Sequence, residues 1–172
     1  ELNRSSTAVI GMGCAFPGGA SSPAEFWGIL ENGADSVVEV PSDRWSIDLY
    51  DANSAPGKMT TKWGGFLEER IDMFDPSFFG ISQREADAMD PQQVLLLEVS
   101  HHALEHAGRN PFAVPAAPVG VFVGIFTSDY QLLQARNTSL KEINSYFGTG
   151  NSASVAAGRL SYVFGFEGPA VA

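Results

Sequence analysis

The chain has a single cysteine, Cys14, among its 172 residues. That excludes an internal disulfide and makes a reducing cytoplasm the simplest compartment. Cationic side chains are scarce: ten Lys and Arg stand against twenty Asp and Glu, for a formal charge of −10. So acidic a chain is poorly suited to bind nucleic acid or an anionic membrane surface. No apolar run approaches the roughly 20 residues a membrane span needs. The front of the chain carries no signal-peptide pattern, and internal repeats and low-complexity tracts are missing. Histidine is confined to His101, His102 and His106. The chain opens on Glu1 and closes inside an apolar run, so we expect a piece cut from a longer protein.

What is present is enough for a core. The 44% hydrophobic content fits a single globular domain of this length. The organising stretch is Asp90-Pro-Gln-Gln-Val-Leu-Leu-Leu-Glu-Val-Ser-His-His-Ala-Leu-Glu-His-Ala-Gly108. Asp90 suits an N-cap, Pro91 the first helical position, and Gln93 the capping-box partner that reaches back. Gly108 supplies the left-handed residue that commonly ends a helix. Val94, Leu95, Leu96, Leu97 and Val99 leave almost no polar face in the first two turns. A helix apolar on nearly all sides lies between other layers. Toward its end His102, Glu105 and His106 bring it to the surface.

Around that helix the pattern alternates. Residues 8–14 read as a short buried strand running into a turn at Pro17-Gly18-Gly19. Ser22-Pro-Ala-Glu25 is a capping box, and Gly33 is the matching stop. Residues 40–66 carry Trp45, Tyr50 and Trp63 without a helical or strand period, as a long functional or core-covering loop does. Asp75-Pro76 opens a brief helical turn, and Ser82-x-x-Glu85 caps the approach to the central helix. Prolines 111, 115 and 118 mark a connection, and residues 119–124 read as a buried strand. Ser128-x-x-Gln131 and Ser139-x-x-Glu142 each start a short helix. Gly148-Thr-Gly150 reads as a turn before a last helix over residues 153–164, in which Gly158 permits a close backbone approach. A further strand starts at Ala170. Strands alternating with helices make a layered α/β fold.

Four chemistries are tempting. Cys14 has no base or cation near it in sequence, as a reactive thiolate needs, and reads as a small buried hydrophobe. His102-Ala-Leu-Glu-His106 fits the inverted zinc-protease motif, with two imidazoles on one helix face. Such a site needs a third ligand, for which Asp129, Glu142 and Glu167 are candidates. Five residues match by chance often enough that we expect no metal here. Gly150-Asn-Ser-Ala-Ser154 approaches a nucleophile elbow, but lacks the last glycine and a histidine downstream. Gly11-Met-Gly13 invites a dinucleotide reading, which Phe16 blocks where the third glycine belongs.

Several longer motifs carry a resemblance. Glu85-Ala-x-Ala-Met-Asp-Pro-Gln-Gln-x-Leu-Leu-Leu-Glu98 is similar to the signature of β-ketoacyl synthase (ketosynthase) domains of modular type I polyketide synthases. So are Val9-Ile-Gly-Met-Gly-Cys-x-Phe-Pro-Gly-Gly19, Asp43-Arg-Trp45, Gly64-Gly-Phe-Leu67 and Phe74-Asp-x-x-Phe-Phe-Gly-Ile-Ser82. Val119-Gly-Val-Phe-Val-Gly124, Ser154-Val-Ala-Ala-Gly-Arg-Leu-Ser-Tyr162 and Gly168-Pro169 complete the set, in the family's order and spacing.

The resemblance implies a thiolase-like α-β-α-β-α layered fold, of which this chain carries the first half only and incomplete. Residues 1–7 are then a linker remnant, and residues 8–172 the N-terminal half of a ketosynthase domain. The family's nucleophilic cysteine and both catalytic histidines are expected beyond Ala172, so no catalytic residue is expected here. The intact enzyme is an acyltransferase that takes an acyl chain from a carrier protein's phosphopantetheine arm. It extends that chain by decarboxylative Claisen condensation with a malonyl-type unit. This chain is expected to bind no cofactor itself and to be inactive alone. Its expected partners are the acyl carrier protein, the remainder of the domain, neighbouring synthase domains and a second copy in a homodimer. Phe126 and Thr127 are implied near the acyl pocket, and Tyr146, Phe147 and Asn151 at the pocket wall near the dimer interface. A non-catalytic dimerisation or carrier-docking module is the alternative, and a zinc hydrolase the third.

Overall fold

The computed structural model describes residues 6–113, 118–137, 139 and 143–172. The chain divides into two units, one of Cys14–Arg70 and one of Glu1–Gly13 with Ile71–Ala172. Proline 115, Glu142 and the core of the expected capping box at 139–142 lie outside the described residues.

In the Cys14–Arg70 unit, Gly18 and Gly19 take φ of 83° and 74°, turning the chain so that Phe16 and Ala20 form a β-bridge. Helix α1 (Pro23–Glu31) follows, with Ser22 accepting the Glu25 amide as its capping box requires. The Glu25 carboxylate reaches back to the Ser22 and Ser21 hydroxyls and the Ser21 amide, which hold it below the usual carboxylate range. Strand β1 (Val37–Glu39) pairs antiparallel with β2 (Trp63–Gly65), Glu39 opposite Trp63. Along the sequence this region reads as irregular, because three-residue strands are too short to display an alternating period. Trp45 packs edge-on against Phe66 at 5.5 Å, and Arg44 donates to the Leu67 carbonyl at 2.9 Å. Cys14 is buried, as a structural thiol is.

The larger unit opens with a correction. Residues 8–13 form no strand and have no ladder partner among the described residues, and Val9 and Ile10 are exposed. Gly11 and Gly13 instead press their backbone onto a helix. A Cβ at Gly11 would stand 2.1 Å from the Ala103 oxygen, and one at Gly13 2.4 Å from the Val99 oxygen. The glycines therefore serve close packing, not a phosphate. A turn at Ser77–Phe79 is capped by Asp75, and helix α2 (Gln83–Ala86) by Ser82. Helix α3 (Pro91–His106) is the expected central element, with Asp90 at its N-cap and Gly108 left-handed beyond its end at φ 67°. None of residues 91–101 is exposed.

Strand β3 (Val121–Phe122) is shorter than residues 119–124 and only half covered: Val121 is buried and Phe122 is not. After helices α4 (Asp129–Asn137), α5 (Ser145–Asn151) and α6 (Ala153–Phe164), strand β4 (Ala170–Val171) pairs with β3 in parallel. Gly148-Thr-Gly150 lies within α5, so the glycines read as a turn are helical. Gly150 is there because a Cβ would meet the Ala88 oxygen at 2.2 Å, whereas Gly158 has open space in front of it. The core joins Leu97 and Val94 of α3 to Ala157, Leu160 and Phe164 of α6, with Phe79, Ile81, Met89 and Val121 around them. Among the described residues no helix is long and apolar enough to cross a membrane.

Candidate functional site

The N-terminus of α3 gathers the polar groups that the core encloses. Asp90, Gln93 and Arg159 are the buried polar or charged residues among those described. A helix start leaves amide donors unsatisfied, and the Asp90 carboxylate takes the Gln92 amide at 2.8 Å. The Asp90 amide itself donates to the Gly150 carbonyl at 2.9 Å. Gln93 does not act as the capping-box partner. Gln92 bonds Asp90 instead, at 3.1 Å, and also donates to the Thr127 carbonyl at 3.2 Å.

Gln93 is free for another task because α5 ends against it. Its amide nitrogen donates to the Gly150 carbonyl at 2.9 Å and lies 3.2 Å from Thr149 O and 3.3 Å from Ser152 O. These are carbonyls at and beyond the end of α5, where a helix lacks internal donors. The orientation of the amide is forced. Arg159, which can only donate, places Nε on Gln93 Oε1 at 2.8 Å and its guanidinium on the Glu85 carboxylate. One chain of bonds thus runs from α2 through α6 and α3 to α5. Buried polar groups are tolerable only when partnered in this way.

The five candidate residues fall on either side of this helix end. The Thr127 backbone is tied to it by Gln92, while its side chain is exposed. Phe126 stands 97% exposed. Tyr146 and Phe147 are half-buried on α5, with the Arg84 guanidinium 6.0 Å from the Tyr146 ring. Asn151 donates to Phe147 O at 2.8 Å and to Gln134 Oε1 at 2.7 Å, and Gln134 reaches the Ala88 carbonyl at 3.4 Å. The Asn151 oxygen is enclosed without a hydrogen-bond partner. Sequence reasoning missed Glu85, Gln92, Gln93 and Arg159. The signal was an arginine set among Val155, Ala156, Ala157 and Leu160, where burial forces a partner.

The other tempting motifs resolve locally. Ser152 Oγ lies 2.9 Å from Ser154 Oγ. His106 Nδ1 accepts the Met12 amide at 3.2 Å, so the two histidines of the inverted motif have different surroundings. Among the described residues neither His106, Asp129 nor Glu167 joins His102 in a metal-ligating cluster.

Residues 4–172 match the family described as beta-ketoacyl synthase, N-terminal domain. One of the phenolphthiocerol/phthiocerol polyketide synthase proteins of Mycobacterium tuberculosis is 47% identical over 167 residues, which cover 96% of this chain and 9% of that protein. Another protein of the same name, from Mycobacterium bovis, is 46% identical over 167 residues, 96% of this chain and 11% of that one. An oxazolomycin ketosynthase domain from Streptomyces albus superposes with a TM-score of 0.79 at 38% identity, over 95% of this chain and 28% of that chain. The ketosynthase from module 6 of the bacillaene synthase of Bacillus subtilis gives 0.77 at 31% identity, over 95% and 25%. The chain therefore spans about a tenth of the curated relatives and about a quarter of the solved chains.

Proposed function

Since the chain belongs to the β-ketoacyl synthase family and carries the N-terminal part of its thiolase-like fold, we propose that its parent extends acyl chains. In that reading the acyl group passes from a carrier protein's thioester to a cysteine thiolate outside this chain. A malonyl-type unit on the carrier then loses carbon dioxide, and the resulting carbanion attacks the acyl-enzyme carbonyl to form the new carbon–carbon bond. The phosphopantetheine arm belongs to the carrier and supplies the thiol that presents each thioester. Residues 8–172 serve as a scaffold half-domain, and the isolated chain is inactive.

The observation that carries this role is convergence. Gln92 and Gln93, neighbours on one buried helix end, hold the Thr127 backbone and the C-terminus of α5. Tyr146, Phe147 and Asn151 on α5 then form an apolar wall with a fixed position, as a ligand pocket requires. Phe147→Ala in the intact synthase is expected to shift acyl-chain preference while leaving the unfolding midpoint within a few degrees of the parent. Competing acyl thioesters of different length, with a thermal melt alongside, test it. Unchanged preference with a large loss of stability would reject the pocket role.

A docking or dimerisation module without its own chemistry is the second reading. It draws on the exposure of Phe126 at 97%, Tyr162 at 88% and Phe122 at 72%, which is apolar surface that calls for cover. Self-acylation of the intact protein from a carrier thioester separates the two: it occurs in the first reading and not in the second.

A further inference from the structure

The C-terminal turns of α3 hold a cluster that the ketosynthase reading does not use. His101, His102 and Glu105 each offer a ligand atom, and the three atoms lie within 4.8 Å of one another. Helix geometry is the cause. Glu105 sits four residues after His101 and three after His102, and both spacings put side chains on one face.

The inverted zinc motif drew attention to His102 and His106, but the fold pairs His102 with His101. His106 Nδ1 already accepts the Met12 amide. The His101 ring is held on its other sides by Phe78 at 5.0 Å, Phe112 at 5.7 Å and Phe79 at 6.1 Å. Its Nδ1 stands 3.2 Å from Glu105 Oε2. With zinc–ligand bonds of about 2.0 Å, two donors of one tetrahedral ion lie roughly 3.3 Å apart. His101 and Glu105 are therefore already spaced as ligands, with a proton between them where the ion would sit. His102 and Glu105 are exposed, so an ion has open access and a fourth position is left for water.

We propose that His101, His102 and Glu105 form a surface binding site for a divalent zinc-like ion. Two imidazole nitrogens and one carboxylate are a borderline donor set, suited to zinc or copper and ill suited to magnesium or calcium, which want oxygen shells. The ion displaces the proton shared by His101 and Glu105, which passes to solvent. The inference is independent of the acyl-extension reading.

The experiment is a calorimetric titration of the chelator-washed full-length protein with zinc chloride, with magnesium chloride as the hard-ion control. The expected result is one zinc site with a dissociation constant on the order of 1 μM, and no magnesium binding. His102→Ala and Glu105→Gln, both at exposed positions, weaken that site roughly tenfold or more, while His106→Gln leaves it unchanged. Circular dichroism checks that each variant is folded. Absence of zinc uptake by the wild-type protein overturns the proposal without recourse to any variant. So does uptake that survives both substitutions, or uptake that His106→Gln weakens as steeply as His102→Ala.

Discussion

The two ends of α3 solve the same problem with opposite means. At the N-terminal end, Asp90 and Gln93 are buried and every bond they make reaches another element or caps the helix. At the C-terminal end, His102, Glu105 and His106 are exposed, and the polar contacts are an ion pair within the helix and one amide from Met12. Both ends accept the backbone of a glycine, Gly150 at one and Gly11 at the other. The first end is a node whose members cannot be changed singly. The second is a surface whose members are nearly independent.

The largest expected effect is at the node. Arg159→Ala removes the partner of Glu85 and leaves Gln93 Oε1 enclosed without a donor, for a loss of about 4 kcal/mol in chemical denaturation. Adding Glu85→Gln should recover part of it, because Glu85 keeps a quarter of its side-chain exposure and the neutral amide rehydrates there. No recovery, or a loss below about 1 kcal/mol, would mean that the node is not cooperative.

The glycines give a matched pair. Gly150→Ala drives a Cβ to within 2.2 Å of the Ala88 oxygen. That carbonyl lies in the α2–α3 connection, braced by Gln134, so the expected loss is about 3 kcal/mol. Gly11→Ala makes a clash just as short, at 2.1 Å, but residues 8–13 have no ladder to hold them among the described residues. They can back away, and about half that loss is expected. Equal losses in thermal or denaturant melts would show that the C-terminal end is as rigid as the other.

The smallest effect concerns the aromatic wall beside His101. Asp75 caps the Phe78 turn, and hydrogen bonds from the Ser77 hydroxyl, then from the Phe78 and Ser77 amides, hold its carboxyl below the usual carboxylate range. A depressed folded-state value means the stabilisation is present above the unfolded value near 3.8 and is lost as pH falls through the folded one. Asp75→Asn should therefore lower the melting temperature slightly at neutral pH, with the gap to wild type closing in acid. The carboxylate is fully exposed, so the effect stays small. A gap that widens in acid would reverse the assigned sign.

Local sequence marked the elements whose cause is local. The Ser22 and Ser82 caps, the Asp90-Pro91 start, the stop at Gly108 and helix α6 all lie where their residues place them. Capping needs only a side chain and an amide two or three residues away. The extended motifs likewise carried the family, since their order along the chain needs no coordinates. The β1–β2 hairpin was not legible, because three-residue strands have no period to read. Residues 8–13 misled: an apolar run with glycines describes both a strand and a backbone laid on a helix. Gln93 misled as well, because a capping-box glutamine and a buried clamp are the same residue at the same position. Which one forms depends on Arg159, sixty-six residues away. Pairing of that span is invisible along the chain, since only burial makes an unpartnered guanidinium and amide costly enough to find each other.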